Sequence, residues 1–351
     1  MNQAKSRRDF LKMSSGAIAA TLLLQNCSQE DQANSLETTI VQGNRPQGTK
    51  IPVILDTDIG SDIDDAWALA LLLKSPELDL KMLLTETGNP KFRGAIAGKY
   101  LEAAGRTDVP IGLGIYEHEG TGAQESWLGN YQISDYPGQV YENGVAAMIE
   151  MIMTSTEPIT LICIGPVPNI RAALKMEPRI TKKARIVGMF GSLRYGYSRT
   201  GNIDKETNVR LNPDACRRMF RAFPDITITP LDTCGIVKLK EEKYQKVRDC
   251  QDPLIKTLIE SNDSWAQYVE WIKIDPNVIT STLYDTVAIY LALSEEYLFI
   301  ENLGIRITDE GYTLIDNKKK KIRCATEWKD FAAFEDWLVN RLTSTCSSGV
   351  N

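Results

Sequence analysis

The chain has 351 residues, enough for one large α/β domain or two smaller ones around a buried core. Its apolar and charged fractions, 43% and 25%, place it among ordinary globular proteins. A net charge of −6 excludes a basic footprint for nucleic acid, and the one basic cluster, 318–321, reads as a solvated turn.

In chain order, the first 27 residues lie outside the expected fold. Ser6-Arg7-Arg8-Asp9-Phe10-Leu11-Lys12 resembles a twin-arginine export signal, and the weakly apolar stretch 13–24 behind it is too short to span a bilayer as a mature anchor. Leu24-Gln25-Asn26-Cys27 resembles a lipoprotein cleavage box, although Gln25 and Asn26 replace its usual small residues. The alternative is a soluble periplasmic enzyme cut nearby. Either way the chain is expected to leave the cytoplasm already folded, periplasmic or anchored through a lipid on Cys27. Residues 28–50 are rich in Gln, Asn, Ser and Thr without an apolar period and read as a flexible tether.

The folded part, 51–343, opens on an apolar run at 53–55 and then Asp56-Thr57-Asp58-Ile59-Gly60-Ser61-Asp62-Ile63-Asp64-Asp65. Five carboxylates within ten residues repel one another unless they stay in water or share a cation. A hard cation such as Ca²⁺ takes six to eight oxygens, which closely spaced aspartates supply. The plain alternative is a solvated turn with an aspartate helix cap at Asp62 or Asp64. An EF-hand counted from Asp56 fails, because Trp67 stands where its bidentate Glu belongs. A strand followed by Asp-x-Asp also resembles the haloacid-dehalogenase phosphatases, with Asp56 as nucleophile and Asp58 as acid. Against that stand Gly60, where those enzymes usually carry Thr or Val, and the lack of a clear downstream Lys with an acidic pair.

Short apolar runs then alternate with helical patterns. Strands are expected at 53–55, 80–84, 111–113, 159–164, 185–189 and 226–230, and helices at 65–74, 93–104, 142–154 and 212–223. This alternation predicts an α/β fold, a mostly parallel central sheet with helices on both faces, and ligands outside the carboxyl ends of its strands. Residues 241–294 read as more helical. A hairpin is expected at 304–315, followed by an amphipathic helix carrying Phe331, Phe334, Trp337, Leu338 and Leu342. With no internal repeat and no linker after Lys50, one catalytic domain is the simplest division. Beyond Cys27, six cysteines without CxxC spacing give no zinc site and read as free thiols.

The string Asp56 to Leu69 resembles the opening motif of the inosine-uridine nucleoside hydrolase family, with a slightly longer loop before Asp64-Asp65. Further segments agree in order: Thr87-Gly88-Asn89, Gly165-Pro166-Val167-Pro168-Asn169, Met189-Phe190-Gly191 with Gly201-Asn202 and Glu206-Thr207-Asn208, and Tyr284-Asp285-Thr286-Val287-Ala288. The resemblance implies Ca²⁺-dependent cleavage of the N-glycosidic bond of a ribonucleoside, giving free base and ribose. The metal ligands it implies are Asp58, Asp65, Asp285 and the carbonyl of Ile164, with Asp58 as the base acting on a metal-bound water. Asp64, Asn89, Asn202, Glu206 and Asn208 would hold the ribose, with Met189 lining the site. Amide and carboxylate side chains suit that task, since a diol both donates and accepts. Taken singly, Asn89 and Asn202 also read as turn residues and Met189 as core.

One departure concerns the leaving group. Where many purine-cleaving members place His before the last Asp, this chain has Tyr284. Its only histidine, His118, falls in a polar loop and reads as a surface residue. Activation of the base then falls to Tyr284, to a loop aromatic (Tyr195, Tyr197, Trp127 or Tyr131), or to no protein acid. The family resemblance also leaves a homo-oligomer open. A non-catalytic lipoprotein that binds a sugar or nucleoside is the remaining alternative.

Overall fold

A computed structural model describes residues 49–344. The export signal, Cys27, the tether up to residue 48, and Cys346 lie outside the described residues. The alternating apolar runs become ten strands of one sheet: β1 (Ile51–Thr57), β2 (Leu78–Thr85), β3 (Ile111–Leu113), β4 (Val140–Tyr141), β5 (Ile159–Cys163), β6 (Ala184–Met189), β7 (Ile226–Thr229), β8 (Leu298–Ile307), β9 (Thr313–Ile315) and β10 (Lys321–Trp328). Their order across the sheet is β4-β3-β2-β1-β5-β6-β7-β10-β8-β9. Every pairing from β4 to β10 is parallel; β8 and β9 add an antiparallel edge.

Parallel strands covered on both faces need apolar side chains on both. In β1, Val53 and Leu55 enter one apolar layer and Ile54 the other; in β5, Ile162 enters the first and Leu161 and Cys163 the second. Helices cover the two faces: α1 (Asp64–Leu73), α2 (Pro90–Ala103), α3 (Gly144–Thr154), α4 (Pro168–Met176), α5 (Thr207–Leu211), α6 (Pro213–Ala222), α7 (Glu241–Arg248), α8 (Pro253–Tyr268), α9 (Thr286–Leu293) and α10 (Phe331–Leu342). The first layer holds α1, α2, α8, α9 and α10; the second holds α3, α4 and α6. Cys163, Cys216, Cys234, Cys250 and Cys324 are free thiols.

The expected mostly parallel α/β sheet is the one found. The expected hairpin is the antiparallel pair β8–β9, with Ile305 facing Ile315. Missing from the sequence reading are β4, too short at two residues to show a pattern, and β10, which sits between β7 and β8 with a bulge between Ala325 and Glu327. The stretch read as more helical, 241–294, divides into α7, α8 and α9, with irregular backbone at 269–285.

The topology sets where chemistry belongs. From β1 the chain builds outward through β2, β3 and β4, then returns to β5 on the other side of β1 and builds the opposite way. The crevice at the carboxyl ends of β1 and β5 lies at this reversal, where such sheets bind ligands. Asp58 leaves β1 there, and Ile164 leaves β5, its amide donating to the carbonyl of Asp56 at 3.0 Å.

Candidate active site

The acidic run leaves β1 in a tight loop. Gly60 takes φ +102°, open only to glycine at low strain, and a Cβ there would meet Ile96 at 2.7 Å. Gly165, after β5, is needed for close approach: a Cβ would meet the Glu86 carboxylate at 2.2 Å and that of Asp58 at 2.8 Å. Asp64 and Asp65 then form the first turn of α1, where the helix dipole favours negative charge. From across the crevice comes Asp285, immediately before α9.

Oxygens of Asp64, Asp65 and Asp285 all lie within 4.8 Å of one another, on side chains no more than 4% exposed. The Thr57 hydroxyl donates to Asp65 Oδ1 at 2.5 Å and fixes that carboxylate. Asp58, Asp62 and Glu206 complete a set of six carboxylates around a recess of about 290 Å³, together with Ile164, Met189, Tyr197, Asn208, Trp271 and Tyr284. Among the described residues, no Lys, Arg or His lines this recess.

Burial pushes the carboxyls of Asp64, Asp65 and Asp285 well above the usual range, and their mutual repulsion adds to it. Asp58 is raised by burial too, offset first by the Arg93 guanidinium. Burial takes Asp56 to about 7, although Asn169 Nδ2 donates to its Oδ1 at 2.8 Å. So many oxygens, with no basic side chain lining the recess, form the donor set of a hard divalent cation. The residues present fit such an ion.

Of the residues expected from sequence, Asp58, Asp64, Asp65, Ile164, Met189, Glu206, Asn208, Tyr284 and Asp285 line this one recess. Asn89 and Asn202 do not. Asn89 Oδ1 caps α2, accepting from the amides of Lys91 at 3.1 Å and Phe92 at 3.2 Å. Asn202 is exposed in the loop before α5. Glu206 lines the recess, but three amides occupy its carboxylate: Gly191 at 2.9 Å, Asn208 at 2.6 Å and Val209 at 3.2 Å. They counter the burial that takes it to about 7.

Tyr284 is half-buried with its ring edge-on to Tyr197, centroids 5.9 Å apart. Burial raises its phenol, so the proton stays on oxygen at neutral pH. The Tyr197 hydroxyl is bonded to Thr207 Oγ1 at 2.9 Å. The other loop aromatics are engaged elsewhere: Arg199 lies over Tyr195, Lys99 over Trp127, and Tyr131 donates to Glu102. His118 is exposed, as read, yet it lines a second recess that shares Asp58, Ser61 and Trp271 with the first.

Sequence reasoning missed three contributors. Arg93 from α2 reaches under the acidic loop, donating to the carbonyls of Asp58, Ile59 (2.9 Å) and Thr87 (2.5 Å) and to Ser61 Oγ (2.9 Å). Glu86 follows β2 with neither carboxylate oxygen hydrogen-bonded, raised by burial and by Asp56. A charged residue directly after an apolar strand was its only signal. Trp271, 65% exposed at the mouth of both recesses, had none.

Known proteins are similar to this chain in sequence and in fold. The family described as inosine-uridine preferring nucleoside hydrolase matches residues 53–336. A probable uridine nucleosidase 2 of Arabidopsis thaliana is 26% identical over 304 residues, 81% of this chain and 91% of that protein. A pyrimidine-specific ribonucleoside hydrolase of Photobacterium profundum is 28% identical over 233 residues, 62% of this chain and 72% of that protein. The solved structure of a purine-preferring ribonucleoside hydrolase from Gardnerella vaginalis superposes with a TM-score of 0.69 at 23% identity, covering 83% of this chain and 98% of that one.

Proposed function

The chain belongs to the inosine-uridine preferring nucleoside hydrolase family and is a ribonucleoside-hydrolysing enzyme, and we propose that it works with a divalent cation, Ca²⁺, among its clustered carboxylates. The observation that carries the cation is the convergence of Asp64, Asp65 and Asp285 within 4.8 Å beside Asp58. Asp58, Asp65, Asp285 and the carbonyl of Ile164 would hold it. When bound, the ion would orient and acidify a water and anchor the sugar diol.

The chain's own residues supply the rest. Cleavage passes through an oxocarbenium-like sugar, which gains stability from nearby negative charge. Asp58, pinned by Arg93 through its own carbonyl, is the proposed base for the attacking water. Asp64 and Asn208 line the recess and are the proposed partners of the ribose hydroxyls, and Glu206, held by three amides, would present a fixed carboxyl group to them. The Tyr284 phenol keeps its proton and can donate it to the departing base.

The test is release of free base from purine, pyrimidine and nicotinamide ribosides, for wild type and Asp58→Ala, with Ca²⁺ and with chelator. Base release lost in both the variant and the chelated enzyme is expected. Turnover that survives chelation would remove the cation, and turnover that survives Asp58→Ala would remove the base. Export by the twin-arginine route, with Cys27 as lipid anchor, is proposed from residues 1–27 alone. Mass spectrometry of the mature N-terminus decides it, and an uncut, unlipidated chain would overturn it.

A further inference from the structure

At the other end of the sheet, α6, β8 and the turn into β10 enclose a recess of about 330 Å³. β10 runs parallel to β7, so the turn before it lies at the amino ends of the parallel strands, away from the carboxylates. Five cations line this recess, Arg217, Arg221, Arg306, Lys319 and Lys320, against one carboxylate, Asp309. Its floor is apolar, made by Phe220, Ile305, Ile307 and Ile322.

Five positive charges gathered in a chain of net charge −6 repel one another unless an anion or water intervenes. The partners present offset only part of that. Arg217 Nη1 meets Asp309 at 2.6 Å, but this carboxylate is 89% exposed. Arg306 lies 3.5 Å from Asp316. Lys320 donates to the carbonyls of Phe220 and Phe223 at the carboxyl end of α6. Arg221 and Lys319 have no side-chain partner among the described residues. The sequence shows the lysines only as a solvated turn; the fold adds three arginines from two other elements.

We propose that this recess binds a small phosphate-bearing anion, with Arg221 and Lys319 its main charge contacts and Phe220 and Ile322 the floor under its less polar part. Guanidinium forks match phosphate oxygens, and several cations suit a dianion better than a single carboxylate. The volume and concavity suit a small ligand rather than a flat surface.

The test titrates the full chain with phenyl phosphate, which carries a phosphate and an apolar ring but no ribose for the active site. Saturable binding at one site is expected, weaker at higher ionic strength and about tenfold or more weaker in Arg221→Glu and in Lys319→Glu, with nucleoside hydrolysis unchanged. Both side chains are exposed, so melting temperatures should match wild type. No binding to wild type, or binding that survives both reversals, overturns the proposal. So does co-sedimentation with phosphatidylglycerol vesicles without phenyl phosphate binding, which would make this a lipid-facing patch.

Discussion

The amide of Asn208 is bonded to the main-chain oxygen of Ile164: Nδ2 donates to it at 3.1 Å and to that of Met189 at 3.1 Å. One side chain thereby ties the carboxyl ends of β5 and β6 together beneath the carboxylates. A carbonyl oxygen has two lone pairs, so the Ile164 oxygen can accept from Asn208 and still face a cation. Asn208 thus bears on the proposed cation site as well as on the proposed sugar.

Asn208→Ala should therefore do more than weaken substrate binding. Two buried carbonyls lose their shared donor, at about 1–3 kcal/mol of stability. The Ca²⁺ affinity, followed by calorimetry, should fall together with kcat/KM. A variant that raises KM but leaves Ca²⁺ affinity at the wild-type value would confine Asn208 to the sugar.

A second prediction concerns pH. Asp56 and Glu206 have folded pKa values raised to about 7, above the 3.8 and 4.5 of free side chains. For a raised carboxyl the stability is fully present below the unfolded value and is lost as pH rises through the folded one. Chelated protein should thus melt at progressively lower temperature from about pH 5 to pH 8. For Asp56 alone the full difference, from below pH 4 to above pH 7, is on the order of 4 kcal/mol, of which about 3 kcal/mol falls between pH 5 and pH 8. Ca²⁺ should reverse the trend, raising the melting temperature more at pH 8 than at pH 5, because it competes with protons for Asp58, Asp65 and Asp285, whose carboxyls burial also raises. Equal gains at both pH values would mean that the cation binds elsewhere.

The sheet was legible because β1 and β5 carry the unbroken apolar runs 53–55 and 161–163, a pattern that double-sided burial requires. The carboxylates were legible because they sit at strand ends in a recurring order. What stayed hidden depends on three-dimensional proximity. Asn89 carries the right chemistry, but Pro90 starts a helix and turns its amide into a cap. Arg93 sits in a helix with no periodic apolar face, and nothing local says that its guanidinium reaches back 35 residues to Asp58. Trp271 comes from irregular backbone at 269–285, where no period marks its direction.

Arg93 yields the third prediction. Arg93 is 8% exposed, and its guanidinium holds the acidic loop through the carbonyls of Asp58 and Ile59 and the Ser61 hydroxyl, with a fourth bond to the carbonyl of Thr87. A lysine keeps the charge but cannot fork to them. Arg93→Lys should lower kcat at least about tenfold with a smaller change in KM, because Asp58 loses its fixed position. Arg93→Met should also destabilise the fold by about 3 kcal/mol, since it removes the one guanidinium among Asp58, Asp65 and Glu86. If Arg93→Lys keeps full kcat, the arginine offsets charge without positioning the base.

The last prediction tests the mouth of the site. Trp271 is 65% exposed, and its ring contact is edge-on to Trp265 at 6.2 Å. A large indole left in water on the rim of both recesses offers a planar face to a nucleobase leaving or entering them. Aromatic stacking on a base is worth about 1–3 kcal/mol, so Trp271→Ala should raise KM about tenfold or more. Little apolar area is buried there, so the melting temperature should stay at the wild-type value. Trp271→Phe should recover most of the loss, because a ring is what the base needs. Should Trp271→Ala leave KM for every nucleoside unchanged, base recognition would fall to Tyr284 and Tyr197, whose crossed rings form the other aromatic wall.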